Sequence, residues 1–154
     1  MEFLTHDELG LLLIVMGVSV FTVLATVLIH YEALHLITRY IHPRFMKPRQ
    51  QMVVVVLGIF SAHTLEVWLY ALAYYLLDFM TPMADIVDVG DNLSGGFLDY
   101  LYFSTVSYTS LGLGDLYPVG PVRLLTGIES LNGLLLIAWS ASFTYLVMEK
   151  RWRL

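Results

Sequence analysis

Residues 104–115 read Ser104-Thr105-Val106-Ser107-Tyr108-Thr109-Ser110-Leu111-Gly112-Leu113-Gly114-Asp115. Two glycines alternate with two leucines at the end of an apolar run that begins at Phe97. That run carries Asp99, is rich in hydroxyl side chains, and is shorter than the roughly 20 residues a membrane-spanning helix needs. It fits a short re-entrant helix over 97–109 followed by a loop over 110–115. Irregular backbone at membrane depth must be buried in protein or line water. Glycine tolerates positive φ. A strand that alternates left- and right-handed conformations turns successive carbonyls to one side.

The rest of the chain is built for lipid. Of its 154 residues, 58% are hydrophobic and 14% are charged, against roughly 45–50% and 25% in a soluble domain. Mean hydropathy is +0.72. A soluble globule of this length cannot cover so much apolar side chain. The same apolar and aromatic mass excludes a disordered chain. Lys and Arg number 8 against 13 Asp and Glu, with no basic domain, which excludes a nucleic-acid partner. Without cysteine there is no disulfide, iron–sulfur cluster or thiolate zinc site.

Leu9 to Ile29 is free of charge, and the start, Met1 to Glu8, is acidic rather than basic. A signal peptide needs a basic start, so this stretch is read as a retained first helix. Met52 to Leu77 is a second span, interrupted by His63 and Glu66, and Val122 to Glu149 is a third. Arg39, Arg44, Lys47 and Arg49 lie between the first two spans, and Lys150, Arg151 and Arg153 follow the third. The positive-inside rule puts that connection and the C-terminus in the cytoplasm. The N-terminus and the segment from Asp78 to Asp115 then lie outside. That segment holds Asp78, Asp85, Asp88, Asp91, Asp99 and Asp115 and neither Lys nor Arg.

The expected fold is an all-α, multi-pass protein of the cell membrane, with three transmembrane helices. A re-entrant pore helix and filter loop lie between the second and third. Residues 1–50 form an N-terminal helix and cytoplasmic turn, and 51–154 a pore module. Within the module come an outer helix at 52–77, an outer loop at 78–96, the pore helix at 97–109, the filter at 110–115 and an inner helix at 122–149. Four such loops around an axis give rings of carbonyl oxygens that can replace an ion's hydration shell. The preceding helix points the partial negative charge of its C-terminus toward the membrane centre, which favours a cation.

At these residues the chain resembles the pore module of potassium channels. The family motif is Thr-Val-Gly-Tyr-Gly-Asp, and here it stands as Ser110-Leu111-Gly112-Leu113-Gly114-Asp115. The likeness runs on into Leu116-Tyr117-Pro118-Val119. Arg123 precedes Gly133 by a spacing similar to that from an inner-helix arginine to the family's hinge glycine. The resemblance covers about Gly95 to Leu154, takes in Met52 to Leu77 only as an outer helix, and leaves the first helix aside.

The resemblance implies a homotetramer in the bilayer that passes dehydrated K⁺ through carbonyls and hydroxyls of Thr109, Ser110, Leu111, Gly112, Leu113 and Gly114. Asp115 stands at the outer mouth and Gly133 at a gating hinge. No organic cofactor is expected. Three departures bear on selectivity. Ser110 replaces the threonine of the innermost ion site, Leu111 replaces valine, and Leu113 replaces a tyrosine whose hydroxyl tethers the filter to the pore helix. Some members with two pore modules per chain also carry leucine at the last position. Val106 stands where some bacterial members have a pore-helix glutamate, so Asp115 lacks that carboxyl partner.

A polar seam runs through the other two helices. Ser19, Thr22, Thr26 and His30 share one face of the first helix, and His63, Glu66, Tyr70 and Tyr74 one face of the second. At 1.5 Å per residue, His30 lies roughly 12 Å and His63 roughly 16 Å from the cytoplasmic side, so they can meet. Ionisable groups at such depth usually face the bundle interior. The seam reads either as inter-helix hydrogen bonding or as a proton- or metal-sensing pair. Glutamate and histidine are zinc ligand types, but no tight spacing motif is present, so no transition-metal site is assigned. Arg123 and Glu129 flank the start of the inner helix. They pair with Asp115 or each other behind the filter, or else Arg123 snorkels and Glu129 is a hydrogen-bonded buried carboxyl.

The first reading of function is thus a tetrameric K⁺ channel. The alternatives are a weakly selective monovalent cation channel on the same fold, and a non-conducting membrane sensor that binds metal or protons at His30, His63 and Glu66. No nucleophile–base set sits at one membrane depth, so an enzyme is not expected.

Overall fold

The computed structural model of the chain describes residues 6–41, 46–80, 85–90 and 96–152. Met1 to Thr5, Arg44, Asp91, Gly95 and Arg153 lie outside them. Among the described residues there are four helices, α1 (His6–Tyr40), α2 (Pro48–Met80), α3 (Phe97–Tyr108) and α4 (Val122–Trp152), and two short strands, β1 (Asp85–Asp88) and β2 (Leu116–Val119). Three of the helices are long and apolar enough to cross a membrane, over Glu8–Tyr40, Pro48–Met80 and Val122–Lys150.

The helices outrun the uncharged stretches that mark them in the sequence. α1 continues past Ile29 to Tyr40 and places Arg39 in its last turn, where a cation complements the partial negative charge of the helix end. α2 opens at Pro48 rather than Met52. Proline suits the first helical position, whose N–H has no intrahelical partner. α3 covers nearly the same residues as the short helix expected over 97–109. The Asp99 carboxylate accepts the Gly96 N–H at 3.3 Å to cap it, and Thr109 closes it.

The segment between α2 and α3, expected as a loop over 78–96, is not all loop. β1 and β2 pair antiparallel, with Asp85 opposite Val119 and Asp88 opposite Leu116. The Val89 N–H extends this ribbon to the Asp115 carbonyl at 3.0 Å. The chain before α3 therefore grips the chain after the glycine pair. Alternation over four residues is too short to mark a strand against the surrounding Asp and Gly signals, so the sequence reading placed no strand there.

α3 is wedged between α2 and α4, and α1 packs on both α2 and α4. The core joins Tyr70, Tyr74 and Leu77 of α2, Tyr100, Phe103 and Tyr108 of α3, and Leu125 of α4. A smaller cluster of Leu34, Ile37 and Val55 packs α1 on α2. Elsewhere the long helices turn large apolar side chains outward, among them Phe21, Leu28, Phe60 and Leu135. Such faces suit lipid tails or neighbouring chains.

Candidate functional site

After α3 the backbone takes positive φ at Ser110 (56°), Gly112 (56°) and Gly114 (83°), while Leu111 and Leu113 between them do not. That is the alternation of hand the glycine–leucine pattern suggests. Ser110 adopts it without being glycine, at a steric cost that its neighbours must hold in place. The Ser110 N–H returns to the Ser107 carbonyl and the Leu111 N–H to the Val106 carbonyl, both at 2.9 Å. The first amides of the loop are thus tied back to α3. All of Thr109 to Asp115 is exposed in the single chain, with Leu111 at 64% and Leu113 at 59%.

Asp115 closes the segment. Its carboxylate accepts the Tyr102 hydroxyl at 2.7 Å. This contact holds the carboxyl below its usual range. A tyrosine one helical turn before Val106 thus supplies a tether to Asp115 that the reading of position 106 alone does not reveal.

Behind the loop, three elements are cross-linked by polar groups. Glu129 on α4 is fully buried. It accepts the Ser104 hydroxyl at 2.6 Å and the Tyr74 hydroxyl at 2.5 Å. It therefore turns toward α3 and α2 rather than toward Arg123, which is exposed at the start of α4. Ser130 donates to the Ser107 carbonyl at 2.9 Å. α4 runs unbroken through Gly133, where it crosses the end of α3. A Cβ at that position would sit 2.1 Å from the Tyr108 carbonyl oxygen.

The polar seam of α1 faces inward. Ser19, Thr22, Thr26 and His30 are all buried, the three hydroxyls bonding carbonyls one turn back. Thr26 also accepts the Asn132 amide of α4 at 2.8 Å. His30 Nδ1 lies 2.9 Å from one Glu66 oxygen and His63 Nδ1 lies 3.0 Å from the other. The two imidazole centroids are 5.2 Å apart. Both Nε2 atoms converge on the Ser140 hydroxyl of α4, His63 at 3.0 Å and His30 at 3.2 Å. The Tyr108 hydroxyl, at the end of α3, donates to Glu66 and lies 2.9 Å from His63 Nδ1.

The structure thus brings His30, His63 and Glu66 together and keeps them apart from Asp115, Arg123 and the exposed loop. Sequence reasoning did not single out Tyr102, Ser104, Tyr108, Asn132 or Ser140. Tyr108, Asn132 and Ser140 each interrupt an apolar helix face with a group that must find a partner in lipid, and that signal is present in the sequence.

A family model described as ion channel matches residues 62–150, more than half of the chain. No curated protein and no solved structure matches it. The match takes in α3, the exposed loop and most of α4, and leaves α1 outside. With three helices of spanning length, the chain is a multi-pass membrane protein.

Proposed function

This chain belongs to the ion channel family, and on that footing we propose that it forms a homotetrameric, K⁺-conducting channel whose filter is residues 110–115. The observation that carries this reading is the alternation of hand at Ser110, Gly112 and Gly114. It supports a strand that points carbonyls along one side, and four of these around an axis make successive oxygen cages for a dehydrated cation.

Two further features support four copies. One chain supplies one wall of such a cage. The single chain also leaves Leu111 and Leu113 largely exposed in this loop, and neighbouring subunits would cover them. In this reading α3 is re-entrant from the outer side, its C-terminal partial charge facing the ion path. Residues 51–154 are the pore module, and 1–50 an added helix and turn. The N-terminus lies outside and the C-terminus in the cytoplasm. Asp115 sits at the outer mouth, and Gly133 at the bend where the inner helix opens. The Tyr102–Asp115 bond takes over the tethering that Leu113 cannot provide.

The test is ion uptake into liposomes that contain the purified chain. K⁺ uptake above that of empty vesicles, by a species whose cross-linked ladder ends at four chains, is the expected result. A ladder that ends at two chains, or vesicles no leakier than empty ones, would defeat the reading.

A further inference from the structure

We propose that His30, His63, Glu66 and Tyr108 form a binding site for a divalent transition metal, zinc by its ligand set, that pins α1 to the pore module. One ligand atom from each of His30, His63 and Glu66 can be chosen so that all lie within 4.8 Å of one another. His30 Nδ1 approaches one Glu66 oxygen at 2.9 Å and His63 Nδ1 the other at 3.0 Å, so a shift of a few tenths of an ångström would open the roughly 3.3 Å ligand–ligand edge of a tetrahedron with metal bonds of about 2.0–2.2 Å. The Tyr108 oxygen, 2.9 Å from His63 Nδ1, supplies a fourth corner. Two imidazole nitrogens with two hard oxygens and no thiolate suit zinc among the common metals.

The far side of each ring is compatible with this. Both Nε2 atoms face the Ser140 oxygen. With a metal on both Nδ1 atoms, each Nε2 carries the proton, and the two lone pairs of Ser140 accept both. A ligating imidazole whose far N–H is held by a protein oxygen is the usual outer-shell arrangement around a bound metal. The charge balance agrees. The Glu66 and His30 side chains are fully buried, where an ionised carboxylate needs a compensating positive charge.

The site has an entrance and a consequence. A groove of about 410 Å³ opens onto His63 and Tyr108 between α2, α3 and Ile137 of α4. His30 belongs to the helix that the family match omits. A metal would therefore couple that helix to the outer helix, to the end of the pore helix, and through Ser140 to the inner helix seven residues beyond Gly133.

The experiment takes the full chain, purified in detergent and stripped with a chelator, and titrates it with Co²⁺. The expected result is the visible absorption of four-coordinate cobalt, saturating at one equivalent per chain and abolished by Zn²⁺. His63→Gln removes the band. Ser140→Ala keeps the band and weakens affinity about 10–100-fold, as loss of an outer-shell partner does. Asp88→Asn, on the β1–β2 ribbon, leaves both unchanged. Absence of the band in folded wild-type protein, as when the two rings simply share one proton, overturns the proposal, and so does a band that survives His63→Gln. None of these readouts uses ion flux. A chain that conducts without binding cobalt refutes the metal site alone, and one that binds cobalt without conducting refutes the channel reading alone.

Discussion

Gly133 of the inner helix and Tyr108 at the end of α3 are in direct contact, so close that a Cβ on the glycine would lie 2.1 Å from the tyrosine's carbonyl oxygen. Backbone cannot yield as a flexible side chain can. Gly133→Ala is expected to push α4 off α3 and to destabilise each chain by about 1–3 kcal/mol, the usual range for overpacking. A thermal melt of the purified protein reads this as a lower midpoint. Loss of a hinge alone would change channel opening and leave the melt where it was, so the two roles of this glycine separate in one experiment.

The loop after α3 makes a prediction of opposite sign at neighbouring positions. Gly112→Ala puts a Cβ at φ 56°, which costs about 1–2 kcal/mol in each subunit. Ion uptake should collapse while the chain still assembles. Ser110→Gly relieves the same strain at the one non-glycine position among the described residues that bears it, so its melt should move up rather than down. A Gly112→Ala protein that conducts normally would place the ion path elsewhere.

Glu129 binds three elements into one. Glu129→Ala deprives the Ser104 and Tyr74 hydroxyls of their shared acceptor and should lower stability by about 1–3 kcal/mol, the range for a buried polar group left underpaired. Glu129→Gln keeps one acceptor oxygen and should fall between alanine and wild type. Equal melts for alanine and glutamine would mean that the hydroxyls find other partners, Val67 for Ser104 and Thr126 for Tyr74.

In the proposed channel the outer mouth should depend on pH through Asp115. Its carboxyl titrates below the ordinary value of 3.8, because the Tyr102 hydroxyl bonds the charged form. The bond therefore contributes fully above that value and is lost as pH falls through the lowered one. Tyr102→Phe removes the donor, so the loss of conductance on acidification should begin at higher pH. Conductance against external pH measures it, and coincident curves for the two proteins would contradict the tether.

In the proposed channel Asp88 and Asp115 also bear on ion supply, with Asp85 and Asp91 as further acids of the expected outer segment. Exposed charge is screened within about 8 Å at physiological ionic strength. Replacing these aspartates with asparagine should reduce single-channel conductance at low salt and change it little at high salt. An effect that grew with salt would rule out an electrostatic role.

The membrane helices were legible because lipid imposes a simple rule: a long uncharged stretch spans. The rule marks where charge stops and not where a helix stops, which is why α1 runs on through Glu32, His35 and Arg39 to Tyr40. The alternation of hand was legible at Gly112 and Gly114, since glycine signals it, and hidden at Ser110, where only the fold enforces it. Helical spacing placed His30, His63 and Glu66 on facing stripes at similar depth. Their partners were out of reach, because Tyr108 and Ser140 lie 45 and 77 residues from His63, and only the wedging of α3 between α2 and α4 brings them in. The β1–β2 ribbon was hidden for the same reason, since pairing across the whole of α3 leaves no local pattern.

The most direct test is the reversal potential of the reconstituted protein with K⁺ on one side of the bilayer and Na⁺ on the other. A carbonyl filter at residues 110–115 predicts a potential close to that for K⁺ alone, and its loss in Gly112→Ala. A potential near zero with large currents would contradict K⁺ selectivity and leave a weakly selective cation pore on the same fold.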